Sequence, residues 1–411
     1  MDYIPYAGKV YDEKEINNLI EASKEFWLTN GRYTKQFEEG LAEFIGVKHA
    51  IFTNSGSSAN LLAVSALTSP ELKESRLQPG DEVITTACGF PTTLNPILQN
   101  SLVPVFVDVE LGTYNPSIRM IEDAISPKTK AIFLPHTLGN PLDITEIMSI
   151  AAKDSLWVIE DNCDALGSTY KGFQTGSFGH LSTCSFYPAH HITTGEGGAV
   201  LTNHTLLNKI VLSFRDWGRD CWCDTGKDDT CKHRFTRQFG ELPEGYDHKY
   251  VYSHIGYNLK ATDMQAAIGV AQLEKLPGFI ERRKTNFEKL WTGLSHYHQH
   301  IILPMVIPDA EPSWFAFPIT IREDAPFTRA DIVAFLEENK IATRMLFGGN
   351  LIKQPAYKDT HYRISGTLKN TDTVMNRTFM VGIYPGITDE MLDYMIGAFK
   401  AFLSYFNEET K

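Results

Sequence analysis

Short apolar runs alternate with helical patterns over residues 49–160 of the chain. Five runs have the length and composition of buried β-strands, at residues 49–53, 82–86, 103–107, 130–135 and 156–160. Between them, apolar side chains recur at helical spacing, over residues 58–67, 117–125 and 143–153. Strands that alternate with helices form parallel sheets with crossover helices on both faces, so the pattern predicts a doubly wound α/β domain.

Helical periodicity also precedes and follows this region. Further helices are predicted at residues 16–27, 37–45, 261–276 with a continuation past Arg283, 329–339 and 389–406. We place a domain boundary near Leu294, between a large domain of residues 1–294 and a small α+β domain of residues 295–411. Ligands bind at the carboxyl ends of the strands in such sheets, so the residues that follow each strand are the first candidates for a site.

The segment 216–252 interrupts the alternation. It contains many charged residues, several glycines and three cysteines, with little apolar periodicity. Segments of this length without secondary structure are uncommon inside compact domains unless they have a function. We therefore predict a functional, cysteine-bearing loop inserted in the large domain.

The charge balance restricts the partners. Fifty acidic against 38 basic residues leave a net charge of −12, which argues against nucleic acid or an anionic membrane surface. No run approaches the roughly 18 apolar residues of a membrane span, and the start lacks the features of a signal peptide, so we expect a cytoplasmic protein. Six cysteines in 411 residues are too few for a disulfide framework and favour catalysis or metal binding.

Two segments at the ends of predicted strands carry candidate binding groups. The turn after residues 49–53 contains Gly56, Ser57 and Ser58 and opens a helix. Its backbone N–H groups and hydroxyls can bind a phosphate, although serine-rich helix caps without a ligand are common. Asp161 places a carboxylate at the mouth of the sheet, where it can hold a protonated ring nitrogen or cap a helix.

A third segment runs from Ser185 to Gly198 and reads SFYPAHHITTGEGG. Together with other motifs, which occur in the order found in that family, this segment resembles the fold-type I, DegT-like sugar-nucleotide aminotransferases and dehydratases. The other motifs are GSSAN at 56–60, ED at 160–161, GYN at 256–258 and YPG at 384–386. The resemblance covers most of the chain. It implies a fold-type I aminotransferase-like α/β fold, in which the large domain binds pyridoxal or pyridoxamine phosphate (PLP or PMP).

One position departs from the aminotransferases that this chain resembles. Five residues after the serine that corresponds to Ser185, those enzymes have a lysine that binds the cofactor covalently, whereas this chain has His190. An imidazole cannot form that stable bond, but it takes up and delivers protons near neutral pH. The resemblance therefore implies PMP held without a covalent bond and His190 as the catalytic base, as in the 3-dehydratases of NDP-4-keto-6-deoxyhexoses. His191 is the less favoured base.

The resemblance also assigns residues to the cofactor. Phe90 corresponds to the aromatic residue that stacks on the ring, although core phenylalanines are common. Asp161 would keep the ring nitrogen protonated, and Asp164 replaces the glutamine that usually contacts the ring hydroxyl. Ser185 and Asn258 match phosphate contacts. In the family Asn258 would come from the partner subunit, which implies a homodimer.

Four cysteines suggest a metal cluster. The spacing Cys-x57-Cys-x-Cys-x7-Cys is formed by Cys163, Cys221, Cys223 and Cys231. It resembles the iron–sulfur branch of the family, which acts on CDP-4-keto-6-deoxyglucose. Four thiolates suit a 2Fe–2S cluster, while zinc or a loop of reduced thiols stays open from the spacing alone. The resemblance implies electrons from a separate NAD(P)H-dependent flavin or iron–sulfur reductase.

These features lead to one main hypothesis and three alternatives. We predict PMP-dependent C3 dehydration and deoxygenation of an NDP-4-keto-6-deoxyhexose, with a CDP-sugar favoured, for 3-deoxy or 3,6-dideoxy sugars such as those of lipopolysaccharide O-antigens. An aminotransferase in which His190 moves protons, and a dehydratase that regenerates PMP from glutamate without a cluster, are the enzymatic alternatives. The non-enzymatic alternative is a redox-sensing regulatory protein.

Overall fold

The computed structural model describes residues 3–223 and 225–408. The outer ends of the two predicted domains, residues 1–2 and 409–411, and residue 224 of the predicted loop therefore lie outside the described residues. The strands are β1 (His49–Thr53), β2 (Glu82–Thr86), β3 (Val103–Val107), β4 (Thr129–Pro135), β5 (Trp157–Asp161), β6 (Thr169–Tyr170), β7 (Phe173–Gln174), β8 (Leu181–Ser185), β9 (Gly198–Thr202), β10 (Ile301–Ile302), β11 (Ala310–Glu311), β12 (Ala316–Ile321), β13 (Thr343–Met345), β14 (Arg363–Ile364) and β15 (Thr378–Gly382).

The helices occupy the stretches between these strands and both ends of the described chain. They are α1 (Glu13–Glu25), α2 (Arg32–Ile45), α3 (Gly56–Ala66), α4 (Pro91–Gln99), α5 (Ile118–Ala124), α6 (Ile144–Asp154), α7 (Thr205–Arg215), α8 (Asp263–Leu294), α9 (Arg329–Glu338), α10 (Lys369–Arg377) and α11 (Asp389–Glu408). Short 3₁₀ helices lie at Pro70–Ser75, Thr137–Gly139, His248–Tyr250, Ser295–Tyr297, Leu351–Lys353 and Pro355–Tyr357. Among the described residues, no helix combines the length and the apolar character needed to cross a membrane.

Eight strands form the central sheet, in the order β1–β9–β8–β5–β4–β2–β3–β14. Strand β9 pairs antiparallel with β1 and β8, and all other neighbours pair in parallel. Along β4, Ala131 and Phe133 pack in one core with side chains of α3 and α7, whereas Ile132 and Leu134 pack in another with α5 and α6. Both faces of the sheet are thus covered, which confirms the doubly wound, mostly parallel arrangement.

The strand predictions agree closely with the structure. Strands β1, β2 and β3 have the predicted bounds, while β4 begins one residue earlier than predicted. Strand β5 is shifted by one residue and includes Asp161, whose backbone still pairs with Pro135 and Thr183. The carboxylate of Asp161 is therefore held by the sheet itself and does not belong to the loop that follows.

The C-terminal part of the chain contains a second, antiparallel sheet in the order β10–β12–β15–β13. It shares a core with α9, α11 and the end of α8, in which Phe317 and Phe379 are fully buried. Backbone pairings join the chain on either side of Leu294: Ile4 bridges to Ile341, Cys88 bridges to Asn350, β11 pairs with β6, and β14 pairs with β3. The domain boundary near Leu294, where α8 ends, stays a prediction.

The segment 216–252 has little regular structure. Among its described residues, the short 3₁₀ helix His248–Tyr250 is the one helical element, and isolated bridges join Asp216 to Asn258 and Arg219 to Tyr252. Charged residues stabilise this irregular backbone, since Arg234 forms an ion pair of 2.8 Å with Asp247. The segment is thus a loop, as its sequence predicts.

Candidate active site

A cavity of about 1380 Å³ opens at the carboxyl ends of the central strands. The predicted site residues that line it are Gly56, Ser57, Phe90, Asp161, Cys163, Asp164, Ser185 and His190. The predicted residues that do not line it are Ser58, Asn258, Cys221, Cys223 and Cys231. Sequence reasoning missed the lining residues Tyr3, Tyr6 and Phe315, and it assigned no role to Arg344 and Phe347, which also line the cavity. They come from segments without a motif.

Asp161 lies at the end of β5 with its carboxylate held from two sides. Oδ2 accepts hydrogen bonds from Thr93 Oγ1 at 2.7 Å and Asn60 Nδ2 at 2.9 Å, and Oδ1 accepts one from the backbone N–H of Cys163 at 3.2 Å. The Asn60 side chain is fixed in turn by Thr183, which donates to its oxygen at 2.6 Å. These contacts orient a negative charge toward the cavity before any ligand binds.

The N terminus of α3 forms a small cradle against β8. Ser55 caps the helix, and its hydroxyl oxygen accepts a hydrogen bond from the backbone N–H of Ser58 at 3.1 Å. A Cβ atom on Gly56 would lie 2.5 Å from Cβ of Ser185, so this close approach requires glycine. The helix dipole and the N–H groups at the start of α3 favour an anion there. The N–H of Ser58 is used for capping, and its role toward a ligand stays a prediction.

His190 and Asp164 face each other in the wall of the cavity. His190 Nδ1 lies 3.6 Å from Asp164 Oδ1, and the side chain of His190 is 15% exposed. Burial, reinforced by the nearby Arg283 charge, lowers the pKa of His190 to about 3. Burial, reinforced by the charge of Asp161, raises the pKa of Asp164 to about 8. At neutral pH the imidazole is therefore unprotonated.

The backbone around His190 is held by a buried arginine. Arg283, on α8, is 1% exposed and donates from Nη2 to the carbonyl of His190 at 3.1 Å. The same guanidinium donates to the carbonyl oxygens of Trp314 and Phe315. The neighbouring His191 is also buried, with Nε2 2.7 Å from the carbonyl oxygen of Ser313. His191 thus contacts backbone outside the active-site cavity, while His190 faces the cavity.

Replacing Asp164 by asparagine is expected to stabilise the cofactor-free protein increasingly as the pH rises from 5 to 8. The folded carboxyl titrates near 8 and the unfolded one near 3.8, so folding takes up a proton between these values and its contribution to stability falls as pH rises. The difference in unfolding free energy would grow by at most about 1.4 kcal/mol per pH unit. The measurement is the thermal unfolding midpoint from pH 5 to 9, with the exposed Glu288→Gln as control. A difference that does not change with pH would contradict the expectation.

Phe90 projects from the loop before α4 into the cavity. Its side chain is 51% exposed, and its ring meets Phe347 edge to face at a centroid distance of 5.7 Å. Phe90 is therefore not a core residue. An exposed aromatic ring in a cavity presents a face on which a planar ligand can stack.

The predicted metal ligands fall into two separate places. Cys163 lines the cavity, and burial together with the Asp161 charge raises the pKa of its thiol. Cys221 and Cys231 lie in the loop with His248, and the three potential ligand atoms are all within 4.8 Å of one another. Cys223 lies in the same loop but not in this group. Within the described residues of one subunit, the structure therefore brings together two of the four predicted ligands, Cys221 and Cys231, with His248 beside them.

Asn258 lies away from this subunit's cavity. Its side-chain oxygen accepts a hydrogen bond from Lys260 Nζ at 2.9 Å, and its backbone bridges to Asp216. Contact between Asn258 and the active site of a partner subunit stays a prediction.

Known proteins resemble this chain over nearly its whole length. The sequence profile of the DegT/DnrJ/EryC1/StrS aminotransferase family matches residues 9–400. The lipopolysaccharide biosynthesis protein RfbH of Salmonella typhimurium is 56% identical over 97% of this chain and 91% of its own length. The dTDP-4-dehydro-2,6-dideoxy-D-glucose 3-dehydratase of Saccharopolyspora spinosa is 54% identical over 97% of this chain and 86% of its own.

Solved structures give the same result for the fold. The Escherichia coli GDP-4-keto-6-deoxy-D-mannose-3-dehydratase with bound hydrated PLP superposes with a TM-score of 0.87 at 29% identity, over 97% of this chain and 100% of that one. The predicted fold-type I aminotransferase-like architecture is thereby confirmed. The chain belongs to the DegT/DnrJ/EryC1/StrS family, the PLP- or PMP-dependent aminotransferases and dehydratases of sugar nucleotides.

Proposed function

We propose that this enzyme removes the C3 hydroxyl of an NDP-4-keto-6-deoxyhexose with PMP as cofactor. The observation that carries the proposal is His190, which faces the cavity at the position where the family's aminotransferases have a lysine. No lysine lines the cavity within the described residues, so no described side chain there can bind the cofactor covalently. Two of the relatives named above are described as sugar-nucleotide 3-dehydratases.

The residues around the cavity fit PMP. The cradle at Gly56 offers N–H groups to a phosphate, Phe90 offers a ring face, and the Asp161 carboxylate is oriented for a protonated ring nitrogen. When bound, PMP supplies an amine that condenses with a ketone and a pyridinium ring that accepts an electron pair. Asp161 would favour the protonated form of that ring because its negative charge lies beside it.

The chain's own proton chemistry depends on His190. Its neutral imidazole would take a proton at the start of the reaction and return it to the hydroxide that leaves from C3, so that water is the product. Asp164, protonated at neutral pH, lies 3.6 Å away and does not hold His190 in its charged form. Arg283 fixes the His190 backbone at 3.1 Å and so limits the positions that the ring can adopt.

We further propose that the enzyme carries a 2Fe–2S cluster at the cysteine-bearing loop and that a separate NAD(P)H-dependent reductase supplies electrons. The support is the grouping of Cys221 and Cys231, whose sulfur atoms lie within 4.8 Å of each other and of a ring nitrogen of His248, with Cys223 nearby in the same loop; thiol ligands suit iron–sulfur or zinc binding. When bound, such a cluster supplies single electrons. None of the relatives named above is described as an iron–sulfur protein, so this part of the proposal rests on the residues of the loop alone.

The alternative with its own support is a dehydratase that regenerates PMP from glutamate without a redox cluster. It is supported by a solved structure of a GDP-4-keto-6-deoxymannose-3-dehydratase with a trapped PLP-glutamate geminal diamine, which superposes on 96% of this chain with a TM-score of 0.85 at 29% identity. The aminotransferase alternative has less support, because this chain has His190 in place of the lysine on which transamination depends in the family's aminotransferases. The two dehydratase hypotheses differ in the second reagent that they require. The cluster-containing enzyme needs a one-electron donor, and the enzyme without a cluster needs glutamate.

Product analysis separates these functions. The enzyme with PMP is incubated with CDP-, dTDP- and GDP-4-keto-6-deoxyhexoses, each with a one-electron donor, with glutamate, or with neither, and the products are identified by mass spectrometry. We expect loss of one oxygen at C3, dependence of multiple turnovers on the electron donor, and preference for the CDP-sugar. An amino group in place of the keto oxygen would contradict dehydration, and full turnover with glutamate alone would contradict the cluster.

A homodimer is part of the same proposal. Asn258 would then reach the cavity of the partner subunit, since in its own subunit it does not line the cavity. Dimerisation would complete each site with a phosphate contact.

A further inference from the structure

Within the described residues of a subunit, the wall of the active-site cavity contains one arginine and no lysine. The arginine is Arg344, an exposed residue of β13. Its Nη1 donates a hydrogen bond to the carbonyl oxygen of Thr343 at 2.7 Å, and its guanidinium carbon lies 5.5 Å from the ring centroid of Tyr6. Neither contact supplies a negative charge, so the guanidinium is available to an anion.

The other ionised side chains among the described lining residues are carboxylates. Asp161 is held at the end of β5, and Glu196 lies just before β9. The cradle at Gly56 favours an anion, but it is the place proposed for the cofactor phosphate. A second anion that enters the cavity is therefore repelled by the two carboxylates and attracted toward Arg344.

The N-terminal strap (residues 3–8) holds the aromatic neighbour of Arg344 in place. The backbone N–H of Ile4 donates a hydrogen bond of 2.8 Å to the segment just before β13. The strap also packs closely against β15, since a Cβ atom on Gly382 would lie 2.1 Å from the carbonyl oxygen of Tyr6. The Tyr6 ring is thereby fixed beside Arg344, at a distance where a ring face attracts a cation.

The expected direction of the sugar nucleotide also leads to this arginine. An NDP-sugar carries its diphosphate on C1, which lies opposite C4 in the pyranose ring. When C3 and C4 are next to His190, the diphosphate therefore points away from it. The rings of Phe315 and Tyr6 follow His190 along the wall at successive centroid distances of 5.1 and 6.3 Å, and Arg344 comes next.

We propose that Arg344 binds the diphosphate of the sugar nucleotide and that Tyr6 is a positioning residue for its guanidinium. The inference rests on the proposed function, because an NDP-4-keto-6-deoxyhexose supplies the diphosphate. Arginine suits this task, since its planar guanidinium can donate two parallel hydrogen bonds to phosphate oxygens. Glutamate offers the same negative charge through its carboxylates, so the experiments separate the two sources.

Calorimetric titration of the full-length, PMP-loaded enzyme measures the contribution of the charge. The probes are CDP, dTDP and GDP, each paired with its uncharged nucleoside. Arg344→Gln should lower the affinity for the preferred diphosphate by about 10–100-fold and leave the affinity for its nucleoside unchanged. The control is Arg119→Gln, whose side chain is 89% exposed outside the cavity, and it should behave as the wild type. Wild-type affinity for the diphosphate in Arg344→Gln would overturn the proposal.

Two variants of Tyr6 test its positioning role. Tyr6→Phe keeps the ring face and should keep the wild-type ratio of diphosphate affinity to nucleoside affinity. Tyr6→Leu removes the ring and should lower this ratio by about 2–10-fold. A purely structural effect of Tyr6→Leu would weaken both probes equally, and an unchanged ratio would refute the positioning role.

Kinetics and glutamate binding separate the two anions. Arg344→Gln should raise KM for the NDP-4-keto-6-deoxyhexose and leave kcat nearly unchanged, because the diphosphate is bound equally in the ground state and the transition state. Glutamate binding to the PLP-loaded enzyme, followed by absorbance, should be the same in this variant and in the wild type. Weaker glutamate binding together with unchanged diphosphate affinity would assign Arg344 to a carboxylate and overturn the proposal.

Failure of the inference and failure of the proposed reaction give different results. If C3 dehydration occurs and Arg344→Gln keeps the wild-type KM, the reaction stands and the inference is refuted. If none of the three sugar nucleotides is dehydrated but Arg344→Gln lowers the affinity for a nucleoside diphosphate, the diphosphate site is supported and the reaction is refuted.

Discussion

A His190→Gln variant is expected to lose C3 dehydration by a factor of about 10²–10⁴ while it still binds PMP. His190 lines the cavity, and burial keeps its pKa low, so that the imidazole is in the form that accepts a proton. Glutamine has a similar size and can hydrogen bond, but it cannot take up the proton. The measurements are the single-turnover rate with an NDP-4-keto-6-deoxyhexose and the PMP content from absorbance.

A lysine at position 190 provides a second test of the role assigned to His190. His190→Lys should bind PLP covalently, as a coloured species that borohydride reduction fixes to the chain, and should also lose dehydration. Since no lysine lines the cavity within the described residues, the bond would come from the new side chain. His191→Gln is the matched control and should keep most of the activity, because glutamine can still reach the Ser313 carbonyl. Dehydration at the wild-type rate in either His190 variant would refute the role of His190.

The second large effect is expected from Asp161→Asn, which should lower the dehydration rate by about 10²–10³-fold and weaken PMP binding. The Asp161 carboxylate is held by Thr93 and Asn60 at 2.7 and 2.9 Å and is oriented before the ligand arrives. Asparagine preserves the shape but removes the charge that favours a protonated ring nitrogen. The rate and the PMP dissociation constant are measured in the same preparations.

Asp108→Asn is the control for Asp161→Asn. Asp108 is also a buried carboxylate just after a central strand, but its oxygens accept hydrogen bonds from the backbone N–H groups of Asn370 and Thr371, and it does not line the cavity. Asp108→Asn should lower the stability of the fold, whereas the molecules that remain folded should bind PMP with unchanged affinity. Equal losses of PMP affinity in the two variants would assign to Asp161 a structural role only.

Part of the site could be predicted from the sequence because its residues stand at the ends of regular elements. Asp161 ends β5 and Gly56 begins α3, so the parallel sheet brings them to one edge. His190 was located by its distance of five residues from Ser185. In each case a local feature, either strand periodicity or motif spacing, carries the information.

Other parts of the site arise from contacts between segments far apart in the chain. Arg283 reaches the His190 carbonyl from α8, 93 residues away, and Asn60 reaches Asp161 across 101 residues. The sequence signal for Asn60 is its place in the GSSAN motif at the start of α3, and this motif does not reveal its contact with Asp161. Arg283 lies in a helical pattern that predicts the helix and not its buried contact.

The amino-acid sequence by itself determined the alternation of strands and helices, the acid at the end of β5 and the histidine at the lysine position. These follow from short-range periodicity and residue type, which report how each segment is buried. Only the tertiary structure decided which side chains meet: it placed Cys163 in the cavity and His248 beside Cys231. The physical reason is that the packing of an irregular loop depends on contacts beyond its own residues. No periodicity within residues 216–252 encodes those contacts.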